Sequence, residues 1–221
     1  MDRYVDIKEI SDGRLYGSND MVKADCGDCR GCYDCCCGMG ESIVLDPLDI
    51  HRLSQGLGKT FDELLKENLE LNVVDGLILP NLKMQGEKES CSFLTEEGRC
   101  SIHSIRPGIC RLFPLGRFYE NGSFQYFLQV HECKKENRAK IKVKKWIDTP
   151  NLKTYEKFVK EWHFFLKGLQ ERAEQDEEDA RALSLFILRQ FYSRPYDEKG
   201  DFYLEFEQRL NAAKTMQGIC Q

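Results

Sequence analysis

Six thiols fall within twelve positions in the run Cys26-Gly-Asp-Cys29-Arg-Gly-Cys32-Tyr-Asp-Cys35-Cys36-Cys37, and Cys91, Cys100, Cys110 and Cys133 follow at wider intervals. Sulfurs at this density, as thiolates, are metal ligands. The spacing Cys29-x2-Cys32-x2-Cys35-Cys36 asks the backbone to turn tightly so that neighbouring sulfurs converge, and Gly27 and Gly31 lower the cost of that turn. Repeated two-residue spacing is shared by zinc sites and ferredoxin-type iron–sulfur clusters. The second group is spread over Cys91-Ser-Phe-Leu, Gly98-Arg-Cys100-Ser-Ile-His103, Arg106-Pro-Gly-Ile-Cys110-Arg-Leu-Phe-Pro114 and Cys133, so the fold must bring it back to the first.

Disulfides are the rival chemistry. The first residues, Met1 to Ile10, are charged and mixed, with no basic region followed by an apolar one, so a cytoplasmic setting is expected, where thiols stay reduced. A total of eleven Cys is odd, and the adjacent Cys35, Cys36 and Cys37 do not easily reach separate partners. Metal ligation is the better reading.

The elements that must position these thiols divide near residue 148. Over 221 residues, 41% hydrophobic and 31% charged, one or two domains can bury a core. No apolar run approaches the roughly 18 residues of a membrane span. Residues 1–25 are polar, with turn signals at Asp12-Gly13 and Gly17-Ser-Asn19, and read as a loose lead-in. Residues 26–148 read as a small cysteine-rich metal-binding module. In it Glu41–Leu45 is a short strand, Asp46-Pro47 starts a helix that Gly56 and Gly58 stop, and Thr60-Phe-Asp-Glu63 opens a second helix to about Leu69. Val73 to Leu79 is expected to be a strand ending at Pro80, with a weaker one at Leu82 to Met84. A β-hairpin turns at Asn121-Gly122 and delivers Cys133. Residues 149–221 read as helices: Tyr155, Phe158, Val159, Trp162, Phe165, Leu166 and Leu169 recur three and four apart, and Leu183–Ile187 and Phe202–Leu210 continue the pattern. That aromatic stripe is expected to pack a core. The fold class is α+β, a module of short strands and a hairpin followed by a helical C-terminal part.

The residues also match a known pattern. The run Cys29-x2-Cys32-x2-Cys35-Cys36, the Cys91-Ser-Phe-Leu element, Arg106-Pro-x2-Cys110-Arg-x-Phe-Pro114 and the later Val143-Lys-Lys-Trp146-Ile resemble the YkgJ-type cysteine-cluster family, the CxxCxxCC zinc- or iron-chelating domain, over roughly residues 25 to 150. Flagellin lysine methylase is similar in its cysteine pattern. The resemblance implies eight metal ligands, Cys29, Cys32, Cys35, Cys36, Cys91, Cys100, Cys110 and Cys133; Cys26 and Cys37 are additional here and join the candidate set.

Eight thiolates suit two 4Fe–4S clusters or two tetrahedral zinc sites. Adjacent cysteines favour the polynuclear iron–sulfur cluster as cofactor, with zinc as the alternative. Either centre is anionic, so nearby Arg99, Arg106, Arg111 and Arg117 are favourable, with Arg106 and Arg111 as the candidate cofactor-binding cations. His103 and His131 stand near cysteines but read as ordinary hydrogen-bonding histidines. His51 and His163 have no assigned role, and Cys220 reads as an incidental thiol. Lys134, Lys135, Arg138, Lys140, Lys142, Lys144 and Lys145 face only Glu136, a solvated basic stretch without the interleaved aromatics of a single-strand binder, so nucleic acid is not the expected partner.

No catalytic residue can be named. There is no Cys-x3-Cys-x2-Cys radical signature and no Gly-rich phosphate loop. Three functions stand: an iron–sulfur protein with a redox role, whose protein partner meets the helical region; a structural zinc module for protein interaction; and a cluster-dependent protein- or peptide-modifying enzyme of the methylase kind. No membrane association is expected.

Overall fold

Asn121 and Gly122 both take left-handed backbone, φ 50° and 69°, so the chain reverses in two residues and strands Leu115–Glu120 and Ser123–Gln129 pair antiparallel from Glu120↔Ser123 to Leu115↔Leu128. This hairpin, expected from its Asn-Gly turn, is the centre of one half of the protein. The computed structural model describes residues 7–27, 29, 32–135 and 137–218. Cys220 lies outside the described residues.

A third strand, Ser11–Tyr16, pairs antiparallel with Ser123–Gln129 through Ser11↔Gln129 and Tyr16↔Tyr126, with a break in register between. Strand Met21–Asp25 pairs with Ala139–Lys142. The described part of residues 1–25 is therefore built into two sheets and is no loose lead-in. Polar turns such as Asp12-Gly13 mark bends in the chain without saying whether the flanking residues find partners over 100 positions away. Gly116 is required where it stands: a Cβ there would collide with the Phe127 ring across the sheet. The apolar side holds Val22, Ala24, Leu115, Tyr126, Leu128, Val143 and Ile147.

The chain forms two compact units, and neither is a single stretch of sequence. One comprises residues 7–43 and 83–155, the other 44–82 and 156–218. A division near residue 148 thus does not describe them, because residues 44–82 belong with the helices beyond 156. The reason lies in strand Leu77–Leu82, whose residues are nearly all buried and need an apolar cover. Helix Glu177–Ile187 packs on this strand, and Ser184 Oγ accepts the Ile78 N–H at 2.9 Å while donating to the Ala180 carbonyl at 2.7 Å.

In that second unit, helix Pro47–Leu57 begins at a capping box of Asp46 and Asp49 and ends at Gly58, φ 64°; helix Phe61–Glu67 begins at a capping box of Thr60 and Glu63. The expected strand at Glu41–Leu45 is only a single bridge, Val44↔Asn81, with the Leu45 N–H bonded to the Pro80 carbonyl at 2.9 Å. Pro80 does not end a strand either: strands Leu69–Val74 and Leu77–Leu82 form a hairpin across Asp75-Gly76, and Pro80 sits opposite Leu71 within it. The aromatic stripe packs as expected. Phe158 meets Phe206 with ring centres 4.6 Å apart, and Trp162 meets Phe191 at 4.9 Å. A π-helical turn, Leu188–Ser193, follows helix Glu177–Ile187 and buries Phe191 and Tyr192. Among the described residues no helix is long and apolar enough to cross a membrane.

Candidate metal centre

All ten thiols of the candidate set lie in the first unit. Strand Met21–Asp25 ends at Cys26, and the chain then coils. Cys29 takes φ 51°, the Cys32 N–H bonds to the Cys29 carbonyl at 3.1 Å, and a single 3-10 turn, Asp34–Cys36, follows. This coiling brings Cys26 Sγ to 3.3 Å from Cys29 Sγ. Cys26, Cys29, Cys32 and Cys35 line one open cleft together with Cys133, which the hairpin strand Ser123–Gln129 delivers. Phe113, Pro114 and Trp146 form its apolar wall, and Asp34, Glu132, Lys134 and Lys135 its charged rim, with Lys134 Nζ 3.8 Å from Asp34 Oδ1. Trp146 Nε1 donates to the carbonyls of Leu112 and Phe113, both at 3.2 Å, and so caps the end of helix Gly108–Leu112, the helix that carries Cys110.

Cys37, Cys91 and Cys100 gather around a second feature, the short ribbon Met84–Gln85/Ser90–Cys91. Cys37 bridges to Ser90, with Sγ 3.5 Å from Ser90 Oγ; Cys91 sits opposite Met84; Cys100 bridges to Leu94. The adjacent pair Cys35-Cys36 joins the groups. Cys35 lines the cleft, while Cys36 feels the charge of Cys91 and Cys100. Gly98, φ 70°, lets the Tyr33 ring lie against the turn that leads to Cys100, where a Cβ would come within 2.7 Å of the ring.

The electrostatics follow from crowding sulfurs out of water. Burial, aided by Cys26, pushes the Cys29 thiol up to about 12, and burial also raises Cys91 and Cys100. Within the pair, the Cys36 S–H donates to Cys35, so Cys36 is raised, and Cys35 is brought down to about 7 by that bond and by the nearby Arg106 charge. Arg106 also favours the thiolates of Cys29 and Cys100. Its Nη1 lies 2.9 Å from His103 Nε2, and its Nε is buried with no hydrogen-bond partner among the described residues.

The model of the CxxCxxCC family, described as "Putative zinc- or iron-chelating domain", matches residues 28–140. The chain belongs to this family. No curated protein and no solved structure gives a significant match.

The CxxCxxCC match runs from just before Cys29 to just beyond Cys133, leaving Cys26 outside and Cys37 within. Metal chelation by zinc- or iron-binding thiols is thus the chemistry against which the geometry is tested. Among the described residues, no three His, Cys, Asp or Glu side chains are grouped closely enough to hold a single ion. The donor set nevertheless fits a cation. Thiols raised by burial would lose their protons to water as a metal took their place and offset the thiolate charge, and the Arg106 Nε–H could donate to a ligating sulfur.

The other CxxCxxCC candidates are placed differently. Arg111 donates to the carbonyls of Arg106 at 3.3 Å, Asp148 at 3.4 Å and Ser104, so its described bonds brace the backbone around Cys110. Arg117 donates to Tyr155 Oη at 2.8 Å and stacks on Phe124 and Tyr155. His103 serves Arg106, whereas His131 is exposed at φ 73°. His51 stacks on Phe202 in the second unit. The sequence reading missed the roles of His103 and Trp146. For His103 the three-residue spacing to Arg106 was the available signal.

Proposed function

We propose that this CxxCxxCC protein is a cytoplasmic iron–sulfur protein that carries electrons to or from a partner. Its proposed ligands are Cys29, Cys32, Cys35, Cys36, Cys91, Cys100, Cys110 and Cys133, with Cys26 and Cys37 as additional donors. The observation that supports the reading is the crowding of ten thiols in two groups joined through Cys35-Cys36. Beside them, a guanidinium held by His103, with a buried Nε–H that has no partner among the described residues, stands within the field of cysteines from both groups. Iron–sulfur centres collect hydrogen bonds at their sulfurs and carry net negative charge, and Arg106 offers both a donor and a compensating cation. Ten thiols also exceed the four of one closed zinc site, and Cys35-Cys36 links two sulfur groups as a polynuclear centre requires.

A cluster bound there supplies a one-electron couple. The residues of the chain then have separate tasks: the cleft thiols hold the metal on a side open to solvent, Trp146 and Phe113 wall it with apolar surface, and Arg106 offsets its charge. The test is anaerobic purification followed by iron, sulfide and zinc quantification. The reading expects brown protein absorbing near about 400 nm, with iron and sulfide in equal amounts and an electron paramagnetic resonance signal that changes on dithionite reduction. Stoichiometric zinc without iron or sulfide would replace it with the structural zinc module.

A further inference from the structure

The ribbon that leads into the thiol cleft has a basic face set by its register. Met21 pairs with Lys142 and Val22 with Ile141; the register then shifts before Asp25↔Ala139, and exposure shows which side the residues between take. Val22 and Ala24 point inward, 1% and 0% exposed, which turns Met21, Lys23, Lys140 and Lys142 to solvent together. None of these three lysines forms an ion pair among the described residues, although the whole chain carries a net charge of -5. Like charges gathered on one sheet face repel one another. At one end of that face, opposite Lys142, Met21 is 48% exposed. Strand Met21–Asp25 runs directly into Cys26, and Lys134 and Lys135, between Cys133 and strand Ala139–Lys142, line the cleft itself. The basic face and the open thiol cleft are thus joined by chain on both strands.

We infer that this face docks an acidic electron-transfer protein over the cleft. For the electrons, the inference rests on the iron–sulfur reading; the docking stands on the ribbon. An exposed apolar residue beside three cations suits a protein surface of complementary charge. A single-stranded nucleic acid would instead call for aromatic stacking platforms, and the ribbon face has none. A cluster held by the cleft thiols would accept one electron from the partner's reduced iron–sulfur centre, with no bond made or broken.

The test uses the full chain and a plant-type 2Fe–2S ferredoxin as the acidic probe. Biolayer interferometry should show binding that weakens roughly tenfold or more between about 0.02 and 0.2 M salt. The triple variant Lys23→Glu/Lys140→Glu/Lys142→Glu should lose at least about tenfold in affinity at low salt, because three attractions become repulsions on an exposed surface. Its circular dichroism and metal content should match the wild type. Reduction by the ferredoxin should slow in parallel, while reduction by photoreduced deazaflavin, a small molecule, stays unchanged. Wild-type affinity in the triple variant overturns the inference, and so does tighter binding of a single-stranded oligonucleotide than of ferredoxin at equal salt. A zinc-loaded protein that accepts no electrons would sink the iron–sulfur reading alone, since the binding measurement still decides the docking.

Discussion

Arg106 Nη1 lies 2.9 Å from His103 Nε2, and because arginine can only donate, His103 must accept at that nitrogen and carry its proton on Nδ1. The imidazole is therefore neutral and acts as a brace, fixing a guanidinium whose Nε is buried with no partner among the described residues. Replacing Arg106 by Gln should leave the fold intact but remove the cation from the sulfur field. In iron-loaded protein the reduction potential should shift to more negative values, since the reduced centre loses its compensating charge. Spectroelectrochemistry reads this shift. The Arg111→Gln variant is the comparison: its described bonds go to carbonyls, so its effect should fall more on thermal stability than on the potential.

Loss of a single ligand should be read in metal before it is read in fold. Cys32→Ser, Cys35→Ser, Cys100→Ser and Cys110→Ser are each expected to lower metal content and solubility, because a site lacking one thiolate is undercoordinated. Cys26→Ala and Cys37→Ala should alter the paramagnetic signal more than they alter folding. Elemental analysis on soluble protein checks both, and wild-type stoichiometry in all four serine variants would reject these ligands.

Thiol reactivity in metal-free protein should begin with Cys35. The Cys36 S–H donates to it and Arg106 stands near, which brings Cys35 down to about 7 from an ordinary value of 9.0, while burial holds Cys29 near about 12. Its thiolate is favoured in the fold, so this contribution to stability is present above the unfolded value and is lost as pH falls through about 7. Iodoacetamide labelling followed by mass spectrometry should show Cys35 modified with a midpoint near pH 7 and Cys29 protected there. Equal labelling of the two at neutral pH would contradict the hydrogen-bond assignment.

In the second unit, Arg209 is the buried charge on which the C-terminal helix depends. Its side chain, 5% exposed, donates to the carbonyls of Gln190, Arg194 and Pro195, pairs with Glu205, and lies 3.8 Å from the centre of the Tyr196 ring. Arg209→Ala removes the donor from three carbonyls and leaves the Glu205 carboxylate with the Asp197 N–H but no cation, and should cost about 3 kcal/mol or more. A denaturant titration measures it. Arg209→Lys should recover only part, because an ammonium cannot span the same acceptors.

What was legible in the chain is what depends on near neighbours. The thiol ladder from Cys26 to Cys37, the Asn121-Gly122 hairpin, the capping boxes at Asp46 and Thr60 and the aromatic stripe from Tyr155 to Leu169 are each set by residues within a few positions, where spacing and backbone preference act directly. The Asp75-Gly76 turn was equally local and was passed over, because Pro80 was read as a strand end although it pairs with Leu71.

What stayed hidden is pairing at a distance. Nothing near Ser11 or Met21 announces partners at Gln129 or Lys142, and nothing near Leu77 names helix Glu177–Ile187 as its cover. These associations follow from burying complementary apolar faces, a property of the folded chain as a whole. The same holds at the candidate metal centre. The kinds of donors were visible in the cysteines; that Cys133 joins the cleft, that His103 braces Arg106, and that Arg111 turns to backbone carbonyls depends on which surfaces packing brings together.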